Sequence, residues 1–143
     1  MKIILAATGH RKTNFDKARE NLKHFLDTNN KAIEAGISGM ASGWDTIFAR
    51  ACLYYKIPLL CYIPYKDQKP TSEYYDEILS GANKIIYCAD SYYKDCFLDR
   101  DKLMVDDSGL IIACWDINIK KGGTYYTINY AKKQNKLVFN LWK

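Results

Sequence analysis

A chain of 143 residues, 48% hydrophobic and 14% aromatic, has the length of one domain and enough apolar material for a packed core, which excludes a disordered tail or linker. No apolar run reaches the ~18 residues of a membrane span, and the opening MKIILAATGH is too short, and lacks the small-residue cleavage pattern, for a secretory signal. The expectation is a cytoplasmic protein without a membrane partner. A net charge of +5 allows an anionic ligand, but the lysines are scattered and no nucleic-acid-binding motif accompanies them.

Short apolar runs alternate with helical patterns along the chain. Residues 2–7 (KIILAA) read as a strand, and Phe15, Ala18, Leu22, Phe25 and Leu26 then recur at helical spacing. A second strand is expected over 31–38, a helix over 45–55 and a third strand over 57–64. A short helix over 72–79, a strand over 84–89, a helix over 95–106, a strand over 109–115, a helix over 124–134 and a strand over 136–142 complete the pattern. Strands that alternate with helices imply parallel β-α-β units, and near-continuous apolar strands imply a sheet covered on both faces. The fold class is therefore α/β, one domain over residues 1–143 with a mostly parallel sheet of about six strands. Five cysteines occur at positions 52, 61, 88, 96 and 114, none at metal-ligand spacing. Buried reduced thiols are expected, with no metal and no cofactor.

Ligands of open α/β sheets bind beyond the carboxyl ends of the strands, and the unusual residues of this chain collect there. TGHRK (8–12) follows the first strand, GMASGWD (39–45) the second, PYKDQ (64–68) the third and DINIKKGGTYYT (116–127) the fifth. Gly39 and Gly43 can adopt positive φ and allow close backbone approach. Ser42 and Asp45 have capping-box spacing, and the amides of the loop and helix start are expected to face an anion. Lys121, Gly122, Gly123 and Thr124 repeat that arrangement before the last helix, and Arg11 with Lys120 or Lys121 adds charge. The candidate ligand-binding set is Thr8, Gly9, His10, Arg11, Gly39, Met40, Ala41, Ser42, Gly43, Trp44, Asp45, Pro64, Tyr65, Arg100, Trp115, Lys121, Gly122, Gly123, Thr124 and Thr127. Trp44, Tyr65 and Trp115 are candidates to stack on a base. His24, within the first helix, is expected at the surface.

TGHR, GMASGWDTIFARA, IPYKDQ, RDKLMVDDSG and GGTYYTINYA occur in an order that resembles the SLOG superfamily, most of all its YpsA-like branch, from Thr8 to Ala131. The resemblance implies a Rossmann-like three-layer domain and a site for nucleotides or nucleotide-derived ligands. It also brings in two relatives, the LOG-type phosphoribohydrolases and the DNA-processing protein A family, whose glycine loop SGMASGWD resembles. There are departures. Lys12 follows GHR where the family often has proline. The LOG-type loop P-G-G-x-G-T-x-x-E ends in a glutamate needed to cleave an N-glycosidic bond, and Thr127 falls at that position. The R-K-x-x-M helix of those enzymes has its counterpart in Arg100-Asp101-Lys102-Leu103-Met104. A threonine is no general acid or base near neutral pH. Asp45 and Asp107, with Arg100, are the catalytic candidates that remain, and Asp106 and Asp116 are further carboxylates near the motifs.

The leading expectation is a protein that binds a nucleotide-derived small molecule (a nucleotide, an ADP-ribose-like compound or a cyclic nucleotide signal) as a sensor or sequestering protein, with no turnover. A composition rich in Lys, Asn, Ile and Tyr suits an AT-rich genome, phage or low-GC bacterial. SLOG domains occur in nucleotide-signalling defence systems, so sequestration by a viral protein in the host cytoplasm is a refinement by analogy. Hydrolysis of a nucleotide N-glycosidic bond is the first alternative, single-stranded DNA binding the second, and a scaffold with a vestigial site the third. A homodimer is expected, with Tyr54, Tyr92 and Tyr93 as exposed aromatics suited to an interface.

Overall fold

The computed structural model describes residues 2–142. Eleven regular elements follow the expected order: β1 Ile3–Gly9, α1 Asp16–Asn29, β2 Ile33–Ser38, α2 Trp44–Tyr54, β3 Leu59–Ile63, α3 Tyr75–Gly81, β4 Lys84–Tyr87, α4 Cys96–Asp106, β5 Leu110–Cys114, α5 Gly122–Lys133 and β6 Leu137–Asn140. Boundaries move by a few residues. β1 runs two residues past Ala7 because Thr8 and Gly9 pair with Ala113 and Cys114 of β5. β2 starts late because Asn30–Ala32 form a 3₁₀ turn.

The six strands are all parallel, in the order β4-β3-β2-β1-β5-β6. From β1 to β4 the chain steps outward in one direction, then jumps back to place β5 on the far side of β1. Right-handed crossovers place helices on opposite faces of the sheet for opposite directions of travel. So α1, α2 and α3 share the larger core with Leu5, Ala7, Leu59 and Ile112, while Met104 of α4 and Ala131 of α5 cover Ala6, Ile37 and Ile111. The alternation of Leu5, Ala6 and Ala7 between the two cores follows from the pleat of a strand. The result is a three-layer Rossmann-like α/β fold, with the reversal of strand order between β1 and β5.

Cys52, Cys61, Cys96 and Cys114 are buried, Cys88 is half-buried, and all five are free thiols. His24 is exposed. Among the described residues no helix is long and apolar enough to cross a membrane.

Gly36 in the middle of β2 sets how closely α2 lies on the sheet. A Cβ there would stand 2.5 Å from Cys52 Sγ and 3.0 Å from Phe48 Cε2. Gly36→Ala is expected to destabilise the fold by about 1–3 kcal/mol, the usual cost of overpacking. Adding Cys52→Ala is expected to recover part of that loss, both read from urea unfolding midpoints.

Candidate functional site

The loops after β1, β2 and β5 enclose a cavity of about 250 Å³ at the point where the strand order reverses. Thr8, Gly9, His10, Arg11, Ala41, Asp45, Arg100, Lys121, Gly122, Gly123 and Thr124 line it, all of them expected from the sequence, together with Ala7 and Asp101, which were not. A second cavity of about 450 Å³ adjoins it through Arg11, Ala41 and Arg100. Ser42, Tyr65 and Phe97 belong to its wall, as do Asp67, Gln68, Lys69 and Thr71 of the polar loop after β3. Tyr65, Tyr92 and Phe97 pack edge to face, with ring centroids 5.6–6.3 Å apart. Tyr92 therefore packs against two aromatic residues of this wall. All four segments expected at the rim converge on these two cavities.

The turn after β1 is tied down on both sides. His10 N–H donates to Cys114 O (3.1 Å) and Trp44 N–H donates to His10 O (3.1 Å). Asp116 N–H donates to His10 Nε2 (2.8 Å), so this nitrogen is an acceptor and the ring is neutral. Burial lowers the His10 pKa below its ordinary value, opposed by the nearby Asp116 carboxylate. Asp116 thus positions His10 and does not line the cavity.

The glycine loop differs from expectation in its details. Gly43, not Ser42, precedes α2 as its cap, at φ +80°, and no side chain caps the helix. A Cβ at Gly43 would lie 2.4 Å from Arg11 O, so glycine is required both by conformation and by space. Gly39 does not take a positive φ; Met40 does, at +59°. Gly39 is instead where Arg100 crosses, since a Cβ there would stand 2.9 Å from the guanidinium carbon. Three amides here are engaged: Met40 N–H donates to Ser38 Oγ (3.1 Å), Ala41 N–H to Asp45 Oδ2 (3.3 Å) and Trp44 N–H to His10 O (3.1 Å). The start of α5 is a second, uncapped helix start on the same cavity. No side chain caps it, Gly122 opens it at φ +90°, and Lys121 stands beside it.

Several expected contacts are core or support instead. Met40 and Trp44 are fully buried, and Trp44 Nε1–H donates to Ile112 O (3.1 Å), so this indole pins α2 to β5 and cannot stack on a base. Pro64 is buried outside both cavities. Trp115 Nε1–H donates to Ile119 O (2.9 Å) and its ring packs near Tyr125, so it braces the loop after β5. Asp107 accepts from Tyr62 OH (2.6 Å) and Asp106 from Tyr130 OH (2.8 Å) at the C-terminal end of α4, away from the crevice.

Arg100 is 4% exposed and Asp101 lies next to it. Arg100 Nε–H donates to Asp101 Oδ1 (2.7 Å) and Nη1–H donates to Gly39 O. Thr127 Oγ1 lies 3.1 Å from Asp101 Oδ2 and 2.8 Å from Gly123 O. Thr127 is thus behind the wall, and the carboxylate that lines the cavity beside it is Asp101. The signal in the sequence was an acidic residue where the R-K-x-x-M pattern has lysine. Burial raises the Asp101 carboxyl pKa, offset in part by Arg100 and by the Thr127 hydroxyl. Burial also pushes Asp45 up to about 7, against the pull of Arg100. Among the described residues no group of three or more His, Cys, Asp or Glu side chains gathers around a common point.

No protein-family model matches the chain, and no curated protein sequence does. Solved structures do match. DNA processing protein A from Streptococcus pneumoniae superposes at a TM-score of 0.80 with 16% identity, over 97% of this chain and 50% of that one. The DNA processing protein A of Helicobacter pylori, described for its single-stranded DNA binding mode, gives 0.75 with 19% identity, over 96% and 64%. The molybdenum cofactor binding protein of Rippkaea orientalis gives 0.68 with 16% identity, over 96% and 75%. The chain therefore spans half to two thirds of the length of the DNA-processing proteins. At under 20% identity these likenesses show a shared Rossmann-like α/β fold over nearly the whole chain.

The Asp45 carboxyl yields a stability prediction. The native state holds this proton up to about pH 7, whereas an unfolded aspartate loses it near 3.8. Its contribution is therefore fully present below about 3.8 and is lost as pH rises through 7. The difference corresponds to on the order of 4 kcal/mol as an upper bound. Asp45→Asn is expected to raise the melting temperature at pH 8 and to change it little at pH 4, read by calorimetry.

Proposed function

We propose that this protein binds a nucleotide-derived small molecule in the crevice between β1 and β5, as a sensor or sequestering protein. One observation supports this reading above the others: donors from two separate loops, Arg11 after β1 and Lys121 with the α5 amides after β5, line one cavity at the strand-order reversal. Helix-start amides beside cationic side chains are the usual phosphate cradle of α/β domains. The adjoining cavity, with Tyr65 and Phe97, supplies aromatic surface for a base. The Rippkaea orientalis neighbour is described as binding the molybdenum cofactor and the Helicobacter pylori neighbour single-stranded DNA. A ligand-binding crevice is consistent with both.

A hydrolytic reading gains support from Asp101 and Asp45. A carboxyl with a pKa raised to about 7 can pass a proton near neutrality. In N-glycosidic hydrolysis, water adds to the anomeric carbon and the base departs with the bonding pair and a proton. Chromatography of nucleoside monophosphates incubated with the protein decides between the readings. Free base whose release stops in Asp45→Asn establishes turnover, and unchanged nucleotide overturns the hydrolytic reading.

The binding reading predicts that AMP and ADP-ribose raise the melting temperature of the wild-type protein. Arg11→Ala and Lys121→Ala are each expected to weaken binding about tenfold, as loss of a charged hydrogen bond does. Unchanged affinity in both variants would place the phosphate elsewhere.

A further inference from the structure

Charge is distributed unevenly along this chain. Lysines are spread over its whole length, but no Asp or Glu follows Asp116. Residues 117–143 hold six lysines and no carboxylate, while the 116 residues before them hold 15 Lys and Arg against 16 Asp and Glu. The net charge of +5 therefore belongs to α5 and the segments that flank it. A groove of about 680 Å³ runs along this helix. Lys120 and Lys121 line it before the helix and Lys133 at the helix end, with Tyr125, Tyr126 and Tyr130 between them. None of the residues that line it is acidic. Leu98 of α4 adds an aliphatic side chain to the groove, and Ile117 and Ile119, 58% and 40% exposed, stand just before its first lysines.

A row of ammonium groups over apolar side chains fits a polyanion that itself carries apolar groups. The aromatic rings separate the two kinds that exist. Lys102 Nζ stands 5.9 Å from the ring centroid of Tyr126 and 5.8 Å from that of Tyr130, and Lys132 Nζ stands 5.7 Å from that of Trp115. The Tyr125 and Trp115 rings are 6.1 Å apart. Bases of a single strand stack on open ring faces, and these rings already have a cation or a second ring beside them. Carboxylates need only the ammonium groups, and aliphatic or aromatic side chains need only the apolar area of the tyrosines, Leu98 and the two isoleucines. Tyrosine-rich apolar area with a charged rim is the usual make-up of a protein interface. We propose that the groove along α5 is a docking site for an acidic segment of a partner protein, one in which carboxylates are interspersed with aliphatic or aromatic side chains. This site is separate from the crevice, although Lys121 lines both.

Fluorescence titration of the full chain with a random glutamate–tyrosine copolymer, polyglutamate and oligo(dT) tests the proposal. The copolymer is expected to bind saturably and at least ~10-fold more tightly than polyglutamate, the loss typical of removing aromatic anchors from an interface. It is also expected to bind more tightly than oligo(dT). Lys120→Glu with Lys133→Glu, two groove positions that do not line the crevice, is expected to weaken the copolymer about tenfold by repulsion. Lys31→Glu with Lys84→Glu changes the net charge equally at exposed positions outside the groove, and is expected to change affinity by less than about twofold because distant charges are screened. Equal losses in the two double variants, or equal binding of polyglutamate and the copolymer, reduce the groove to bulk positive charge and overturn the proposal. Tighter binding of oligo(dT) assigns the groove to nucleic acid and overturns it, as does saturable binding of none of the three. Self-association in sedimentation that only the groove variant abolishes assigns the groove to a second copy and overturns it too. The wild-type ranking of the three polymers needs no variant, so the test holds if a double variant does not fold.

Discussion

The hydrogen bond from Trp44 N–H to His10 O joins the start of α2 to the turn after β1, and the crevice exists because of it. At the same residue the indole Nε1–H reaches Ile112 O in β5, so one residue ties three elements together. Gly43 lets the chain pass this close, since any Cβ there would collide with the carbonyls of Arg11 and His10. Cys114 O and the Asp116 amide hold His10 from the other side. Thr8, Gly9 and Arg11 are thereby fixed at the mouth of the crevice by hydrogen bonds to α2 and β5. A turn held this way is formed by the fold itself.

The electrostatics of the crevice follow from burial. Arg100 is taken out of water, and the structure compensates with Gly39 O and Asp101. Removing a charge from its solvent is costly unless its donors are met, and a buried pair gives little net stability. The arrangement instead gives orientation: the guanidinium is aimed by its neighbours and cannot rotate away. Asp45 is left with less compensation, which is why its carboxyl holds its proton toward neutrality. Such groups are retained at sites more readily than in cores made only for stability.

The order and type of every element were legible because apolar periodicity switches cleanly between strand and helix along this chain. The parallel sheet followed from the alternation, and the rim segments from their position after strands. What escaped was direction and distance. Met40 and Trp44 sit among glycines that suggested a ligand wall, yet a large apolar side chain next to a tight turn has a core on one side of it, and these two fill that core. Trp115 is spent on bracing its own loop. Asp101 was overlooked for the opposite reason: a charged residue on an amphipathic helix reads as solvated surface. Its meaning depends on Thr127, 26 residues later, and on Gly39, which no local pattern reveals.

The insertion of β5 beside β1 also has a consequence for how the molecule is assembled. Leu5 pairs with Leu110, and Gly9 with Cys114, contacts that span more than two thirds of the chain. During synthesis β1 through β4 can zip together in sequence, each with a local helix crossover, but β1 keeps one open, apolar edge until the β5 segment has left the ribosome. Contacts this remote are slow to close, and an uncovered strand edge invites pairing with the wrong chain. The crevice lies across that last-closing seam, between the loops after β1 and β5, so its walls come together as a late step of folding, after most of the sheet is already in place.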